Sequence, residues 1–193
     1  MREAASEPAG DVAGELARFA PTGPLEERDW ELLCALVAGA DAPPDPWLRS
    51  LPLHLTASAL VVEPAGHRVL LRWHERQQMW LHVGGHGDPG DSSALEVAVR
   101  EAVEETGLDD LRLVGRGLVH VAVVEVPAGK GEPAHLHGDL RFVLATDSPE
   151  RAVPENELAR LRWLSFPEAL AEVGTDNLAV LIERAEALLS SAG

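Results

Sequence analysis

Apolar and polar positions change their period along this chain, and the changes mark out its elements. From Leu55 to Glu63, LTASALVVE, and from Arg68 to His74, RVLLRWH, two runs rich in β-branched and apolar residues are separated by PAGH, whose Pro-Ala-Gly core reads as a turn. This predicts a β-hairpin. MWLHVGG, from Met79 to Gly85, leads into a glycine-rich loop, after which the period becomes helical. At about 100° per residue Leu95, Ala98, Val99, Ala102 and Val103 fall on one face. Ser93, three residues before Glu96, has the spacing of a helix start, and Gly107 is placed to close it, so the helix is expected from about Ala94 to about Thr106.

Beyond it, Leu111 to Pro127 supplies one long strand or two short ones, Gly129 to Gly138 is a loop by composition, and Asp139 to Thr146 and Arg160 to Phe166 read as strands. Pro167 starts a short helix running to about Val173. A terminal amphipathic helix from Asn177 to Ser190 turns Leu178, Leu181, Ile182, Ala185 and Leu188/Leu189 inward. At the other end, residues 1 to about 24 read as a short helix or a loosely held arm. Leu25 to Ala40 reads as a helix with Trp30, Leu33, Leu36 and Val37 at helical spacing, and the prolines of Asp41 to Trp47 force an extended connection. Strands outnumber helices, which argues for an α/β domain with helices covering a mixed sheet.

The helix from Ala94 is crowded with carboxylates. Glu101 and Glu105 lie one turn apart at the border of its apolar face, with Glu104 further round. Arg100 falls on the far side, set to offset Glu96 or Glu104 and poorly placed for Glu101 and Glu105. Like charges four residues apart cost a few tenths of a kcal/mol on an exposed helix, about 0.2–0.5, and more where water is excluded. A divalent cation removes that cost, and hard oxygen donors suit Mg2+ or Mn2+.

REAVEETGL, Arg100 to Leu108, resembles the second half of the Nudix hydrolase box, matching it at Arg100, Glu101, Ala102, Glu104, Glu105, Gly107 and Leu108. The first half departs from the signature. With Gly85 as its glycine, the signature glutamate falls on Asp91, and eight residues rather than seven separate it from Arg100. HLTASALVV, a tryptophan just ahead of Gly84-Gly85, and LRWLSFPEAL extend the resemblance over roughly residues 54 to 190. It implies a Nudix-like α/β/α sandwich with a mixed sheet, here with an additional N-terminal helical segment, divided as residues 1–50 (extension) and 51–193 (hydrolase domain).

The resemblance implies a metal-dependent hydrolase of a diphosphate bond, acting on a nucleoside diphosphate linked to another group, such as a nucleotide sugar or an ADP-ribose type of substrate, or on a nucleoside triphosphate. Glu101, Glu104 and Glu105 hold Mg2+ or Mn2+ in this reading, and Arg100 orients them. A carboxylate in the late loop that holds Glu155 and Glu157 joins as a further ligand or base, Glu157 being the one assigned. Gly84 and Gly85 let the backbone approach phosphates, with His86, Asp91, Arg72, His74 and His137 as further substrate contacts. The alternative from a different class is a nucleotide-sensing module that keeps the fold without turnover, its support being Asp91 and the inserted residue.

Composition narrows the partners. The 193 residues carry a formal net charge of −16, and no Lys/Arg cluster appears, so long nucleic acid and anionic membrane are unfavourable partners. Cys34, the single cysteine, excludes an internal disulfide and fits a reducing, cytoplasmic setting, while its apolar neighbours favour a buried structural thiol. Whether two chains pair as a homodimer is left open. In HLHGD, His135, His137 and Asp139 are two apart and share one face of an extended segment. That pattern admits a zinc site needing a further ligand, or a substrate-contacting loop beside the box. Trp73 and Trp80, beside Arg72 and His74, could stack on a base or fill the core.

Overall fold

The computed structural model describes residues 11–129, 131–174 and 177–191. The first ten residues of the expected arm lie outside them. In chain order the elements are α1 (Val12–Arg18), α2 (Pro24–Ala38), β1 (Leu53–Glu63), β2 (Arg68–His74), β3 (Met79–Leu81), β4 (Val83–His86), α3 (Ala94–Thr106), β5 (Arg112–Leu113), β6 (His120–Val126), β7 (His135–Ala145), β8 (Leu161–Ser165), α4 (Phe166–Val173) and α5 (Asn177–Ser191). Among the described residues no helix is long and apolar enough to cross a membrane.

The strands form one mixed sheet around a parallel pair, β1 and β7, in register from Leu53↔Leu136 to Val62↔Ala145. One edge of β1 is divided between two antiparallel neighbours. β4 pairs with Thr56 to Ala59, and β2 pairs with Val61 to Glu63. The expected hairpin therefore exists, but only its last three residue pairs are laddered. β7 begins at His135, inside the stretch expected to be loop, because Leu53, His54 and Leu55 extend β1 backwards and offer it a partner.

Alternation along the central strands sets the layers. Leu55, Ala57, Ala59 and Val61 of β1, with Leu140, Phe142 and Leu144 of β7, face a core shared with α1, α2 and α3. Leu60 and Val62, with Val143 and Ala145, face the opposite core shared with α4 and α5. Helices on both sides of a mixed sheet are the α/β/α arrangement expected from sequence. The stripe that α3 buries is rotated from the expected one: Ala94, Val97, Ala98 and Ala102 are within 1% of full burial, whereas Val103 is 36% exposed. Small residues on the buried stripe let α3 lie close to β1 and β4, which is what brings its carboxylates to the sheet.

The N-terminal segment is packed into the first core through Val12, Leu16, Leu33 and Trp47. Glu26 and Asp29 of α2 accept from the Val121 and Val123 amides, at 3.4 and 2.9 Å, so that α2 caps the open edge of β6. Cys34 is partly buried against the same core, and burial pushes its thiol pKa up. This agrees with a structural thiol.

Candidate active site

Helix α3 is held at both ends. Ser93 accepts from the Glu96 amide at 3.2 Å, and Gly107 closes the helix in the left-handed conformation at φ 68°. The remaining first-turn amides are met from a distant helix. The buried Glu15 of α1 accepts from Ala94 N, Leu95 N and the Ser93 hydroxyl at 2.9–3.1 Å, and its charge complements the helix N-terminus. The loop before α3 is pinned by the segment that precedes β1. Trp47 Nε1 donates to the Asp91 carbonyl at 2.7 Å, and Asp45 accepts from Gly90 N at 3.1 Å.

Glu101 and Glu105 face the sheet across β4. The Glu105 carboxylate accepts from Gly84 N at 3.0 Å and lies 3.3 Å from Arg72 Nη2. A Cβ on Gly84, at φ +149°, would stand 2.3 Å from Ser58 Cβ, and one on Gly85 would stand 2.3 Å from Glu101 Oε2. Both glycines are thus needed to let strand and carboxylates approach one another. Burial pushes the Glu105 carboxyl up to about 7, against the Gly84 amide and Arg72, which pull it down; Glu155 and Glu101 add to the rise. Burial likewise raises Glu101, with Arg100 opposing and Glu104 reinforcing. Glu104 turns outward, its side chain 58% exposed.

Two carboxylates held partly dry, both biased toward protonation and both repelled by other acids, make a donor set that a hard dication fits. The residues that could hold it are Glu101 and Glu105, with Glu104 on the outer side of the same turn.

Several expected site residues stand differently from the sequence reading. Arg100 does reach Glu101, at 2.8 Å, as well as the His86 carbonyl at 3.2 Å, Asp91 at 3.5 Å and Glu104 at 3.7 Å, because its long side chain folds back over the helix border. Asp91 accepts from Asp88 N at 2.8 Å and touches Arg100, but it does not line the cavity described below. The shorter acid therefore still meets the arginine across the inserted residue. Of the two late-loop acids, Glu155 is the one joined to the cavity wall. It forms a short ion pair with Arg72, whereas Glu157 is exposed and has no hydrogen bond or ion pair among the described residues.

Beside Glu105 opens a cavity of about 360 Å³, bounded by β1, β2, β4, β6, β7 and the start of α5. Arg72, His74, Gly84, Gly85, His86 and His137 all line it, bringing together most of the expected substrate contacts. Arg72 Nε is buried there with no acceptor among the described residues. Apolar walls come from Met79, Leu81, Val124 and Leu178. Trp73 and Trp80 are not among the lining residues; they form a T-shaped pair with the Arg160 guanidinium 4.9 and 5.6 Å from their ring centroids. A larger cavity of about 710 Å³, between α1, the β5–β6 loop and α5, contains none of the box residues.

At the back of the site Asp139 does not join His135 and His137. It is buried, bonded to Arg141 Nε at 2.7 Å, Ser58 at 2.9 Å and Thr56 at 3.1 Å. Burial alone would raise its carboxyl, but Arg141 and His82 outweigh that and hold it well below the usual carboxylate range. Arg141 is in turn fixed by the Asn177 side chain at 2.6 Å. The residue that completes the histidine group is His54, which register pairs with His137 and which lies among the rings of His86, His135 and His137. It was missed although His54, Thr56 and Ser58, alternating with apolar residues, already announced a polar stripe on β1. Burial holds His137 down to about 4 and His86 to about 3, so both are neutral imidazoles at pH 7.

Comparison with known proteins places this geometry. A family model described as the NUDIX domain matches residues 52–185. The "Probable DHNTP pyrophosphohydrolase" of Lactococcus lactis subsp. cremoris is 32% identical over 118 residues, covering 60% of this chain and 68% of that protein. Among solved structures, a C. elegans Ap4A hydrolase in a binary complex superposes with a TM-score of 0.56 at 19% identity, over 71% of this chain and 98% of that one. The E. coli dihydroneopterin triphosphate pyrophosphohydrolase gives 0.55 at 21%, over 69% and 94%. At these identities the two structures speak for the fold alone.

Proposed function

The chain belongs to the NUDIX family, and from that premise we propose that it cleaves a diphosphate bond in a small nucleotide derivative, with Mg2+ or Mn2+ held by Glu101, Glu105 and Glu104. It is a Nudix-type pyrophosphohydrolase. The observation that carries the finer reading is Glu105, a carboxylate lifted to about 7 by burial, fixed by the Gly84 amide and standing at the mouth of a cavity. Unmet demand for positive charge at that point is what a metal–diphosphate complex supplies.

When bound, the dication offsets charge on the diphosphate oxygens and lowers the pKa of an attacking water. The chain's own groups do the positioning. Arg72 holds Glu105 and Glu155 with one nitrogen, and its buried Nε–H, without an acceptor among the described residues, is a donor it has left for a phosphate oxygen. Arg100 ties Glu101 to the box loop through the His86 carbonyl, so the helix acids and β4 move as one. Met79, Leu81, Val124 and Leu178 offer a flat apolar wall to a ring, with Asn177 and Ser58 as polar partners for its edge. The names of the relatives, a DHNTP pyrophosphohydrolase and an Ap4A hydrolase, add a pterin triphosphate and Ap4A to the nucleoside diphosphate derivatives as candidates.

In this reading residues 51–193 are the catalytic domain, and the described part of the extension, residues 11–50, buttresses it through Glu15, Asp45 and Trp47. A net charge of −16 and a single cysteine fit work on a free small molecule in a reducing compartment such as the cytoplasm.

The test is a panel of nucleotide sugars, ADP-ribose, nucleoside triphosphates, dihydroneopterin triphosphate and Ap4A, assayed for phosphate, pyrophosphate or nucleotide release with Mg2+, Mn2+ or EDTA. Metal-dependent turnover of at least one member is expected. Turnover indifferent to EDTA, or none on any member, contradicts the proposal.

A further inference from the structure

Four histidines from three strands meet on the far side of β4 from the box glutamates. Among the described residues, His54, His135 and His137 are the only group of three or more metal-ligating side chains whose donor atoms all lie within 4.8 Å of one another. The His86 and His135 Nε2 atoms each lie 3.2 Å from His137 Nε2. They border a separate cavity of about 360 Å³, with Arg49, Arg76 and Glu132 at its rim.

The hydrogen bonds around the cluster decide which way its lone pairs point. His54 Nδ1 lies 3.2 Å from the Leu51 carbonyl and His135 Nδ1 lies 2.9 Å from the Pro133 carbonyl. A carbonyl only accepts, so both Nδ1 atoms carry the proton, and a ring with its one proton there keeps an Nε2 lone pair. His54 is only 1% exposed, and its Nε2 is buried with no hydrogen-bond partner among the described residues. A ring nitrogen has one proton or one lone pair, so His137 Nε2 can complete one full hydrogen bond and not two. Donor nitrogens gathered within 4.8 Å, one of them over-subscribed and one without a partner among the described residues, leave the cluster wanting an electrophile.

The distances suit a particular one. Four nitrogens around a tetrahedral Zn2+ at about 2.0–2.1 Å are about 3.3 Å from one another, close to the 3.2 Å from His137 Nε2 to the His86 and His135 Nε2 atoms, while a His54 ring nitrogen stays within 4.8 Å of its His135 and His137 counterparts. Imidazole is a borderline donor that favours Zn2+ over Mg2+, and backbone carbonyls on Nδ1 are the outer contacts that metal-bound histidines ordinarily make. Of the charged groups at the rim, Arg76 lies 3.9 Å from Glu132, leaving Arg49 as the one cation among the described residues to oppose a metal.

We propose that His54, His135 and His137, closed by His86, bind a Zn2+ ion at a site distinct from the Glu101/Glu105 site and independent of it. Because His86 and His137 line both cavities, this ion stands on the wall of the substrate cleft.

The experiment dialyses wild-type protein, Glu101→Gln/Glu105→Gln and His135→Ala/His137→Ala against buffered Zn2+ and measures bound zinc, with Co2+ as a spectroscopic probe. Wild type and the glutamine variant should each retain about one zinc per chain, as expected for a single closed site. The histidine variant should bind it at least about 100-fold more weakly, a larger loss than outer contacts cause. Co2+ in wild type should give the intense visible bands of a four-coordinate, nitrogen-ligated ion. Zinc lost from the glutamine variant and kept by the histidine variant overturns the proposal, as does a weak octahedral cobalt spectrum. If the histidine variant does not fold, the cobalt spectrum of wild type and the zinc content of the glutamine variant still decide. Inorganic phosphate raising the melting midpoint of wild type while Zn2+ leaves it unmoved would mean an anion pocket instead.

Discussion

At Leu60 and Val143 the α5-facing side of the two central strands is sealed in core; two residues earlier on each strand, at Ser58 and Arg141, the same side is polar and bounds a cavity. The parallel register pairs Ser58 with Arg141 and Leu60 with Val143, so both strands change character at the same level of the sheet. The apolar half is covered by Leu178, Leu181, Ile182 and Ala185 of α5, which begins with Asn177 on Arg141. One pleated surface thus provides both a foundation and a site, and what separates them is the identity of alternate residues rather than any change of fold.

This contrast is broken most severely in its polar half. Asp139→Ala leaves Arg141, 3% exposed, as a buried guanidinium without its carboxylate, and should cost about 3–5 kcal/mol of stability. Leu60→Ala, two residues along the same face, should cost about 2–5 kcal/mol through cavity formation while leaving KM nearly unchanged. Urea unfolding with parallel kinetics checks both. A mild Asp139→Ala would mean that Arg141 finds water, and that the polar half is wetter than its burial indicates.

Next in size is a pH effect at the mouth of the cavity. Glu105 is raised to about 7 from 4.5, so the folded protein binds its proton more tightly than the unfolded chain does. That favours the fold at low pH and is lost as pH rises from 4.5 to 7, a swing on the order of 3 kcal/mol for a shift of this size. His137 at about 4, with His86 and His120 at about 3, work in the opposite direction, adding stability as pH rises toward 6.5. In EDTA the difference between wild type and Glu105→Gln cancels the histidines. The glutamine variant should gain relative stability across that window, and parallel curves would remove the buried-acid description of Glu105.

The smallest effect belongs to Asp91. Its partly exposed contacts with Asp88 N and Arg100 are worth about 1 kcal/mol or less. Asp91→Ala should lower activity modestly and Asp91→Glu should be tolerated. Equal activity in all three forms would show the loop to be fixed by Trp47 and Asp45 alone.

The two clusters also differ in how far the sequence disclosed them. Glu101, Glu104 and Glu105 lie within one helix whose bounds follow from local signals, Ser93, Gly107 and a helical period, and the structure places that helix from Ala94 to Thr106. Its rotation was misjudged by one position, since wheel arithmetic cannot tell that the small residues rather than Val103 would face the sheet. The histidine group draws on three strands and needs the register of a parallel pair 83 residues apart, Thr56 on Asp139, before His54 can be set beside His137. Glu15 on the N-terminus of α3 and Trp47 on the box loop are long-range as well, which is why the first fifty residues looked like an appendage. Glu155 rather than Glu157 reaches Arg72 for a similar reason, since loop geometry is set by packing and not by the residue's own type.

The most direct measurement is kcat for wild type and Glu105→Gln on whichever panel substrate turns over, with saturating Mg2+ and the fold of both confirmed by circular dichroism. Loss of one preorganised charge at the reacting centre should lower kcat by at least about 100-fold. A variant that keeps kcat within a few fold of wild type would contradict the assignment of this carboxylate, and with it the diphosphate-hydrolysing site built around it.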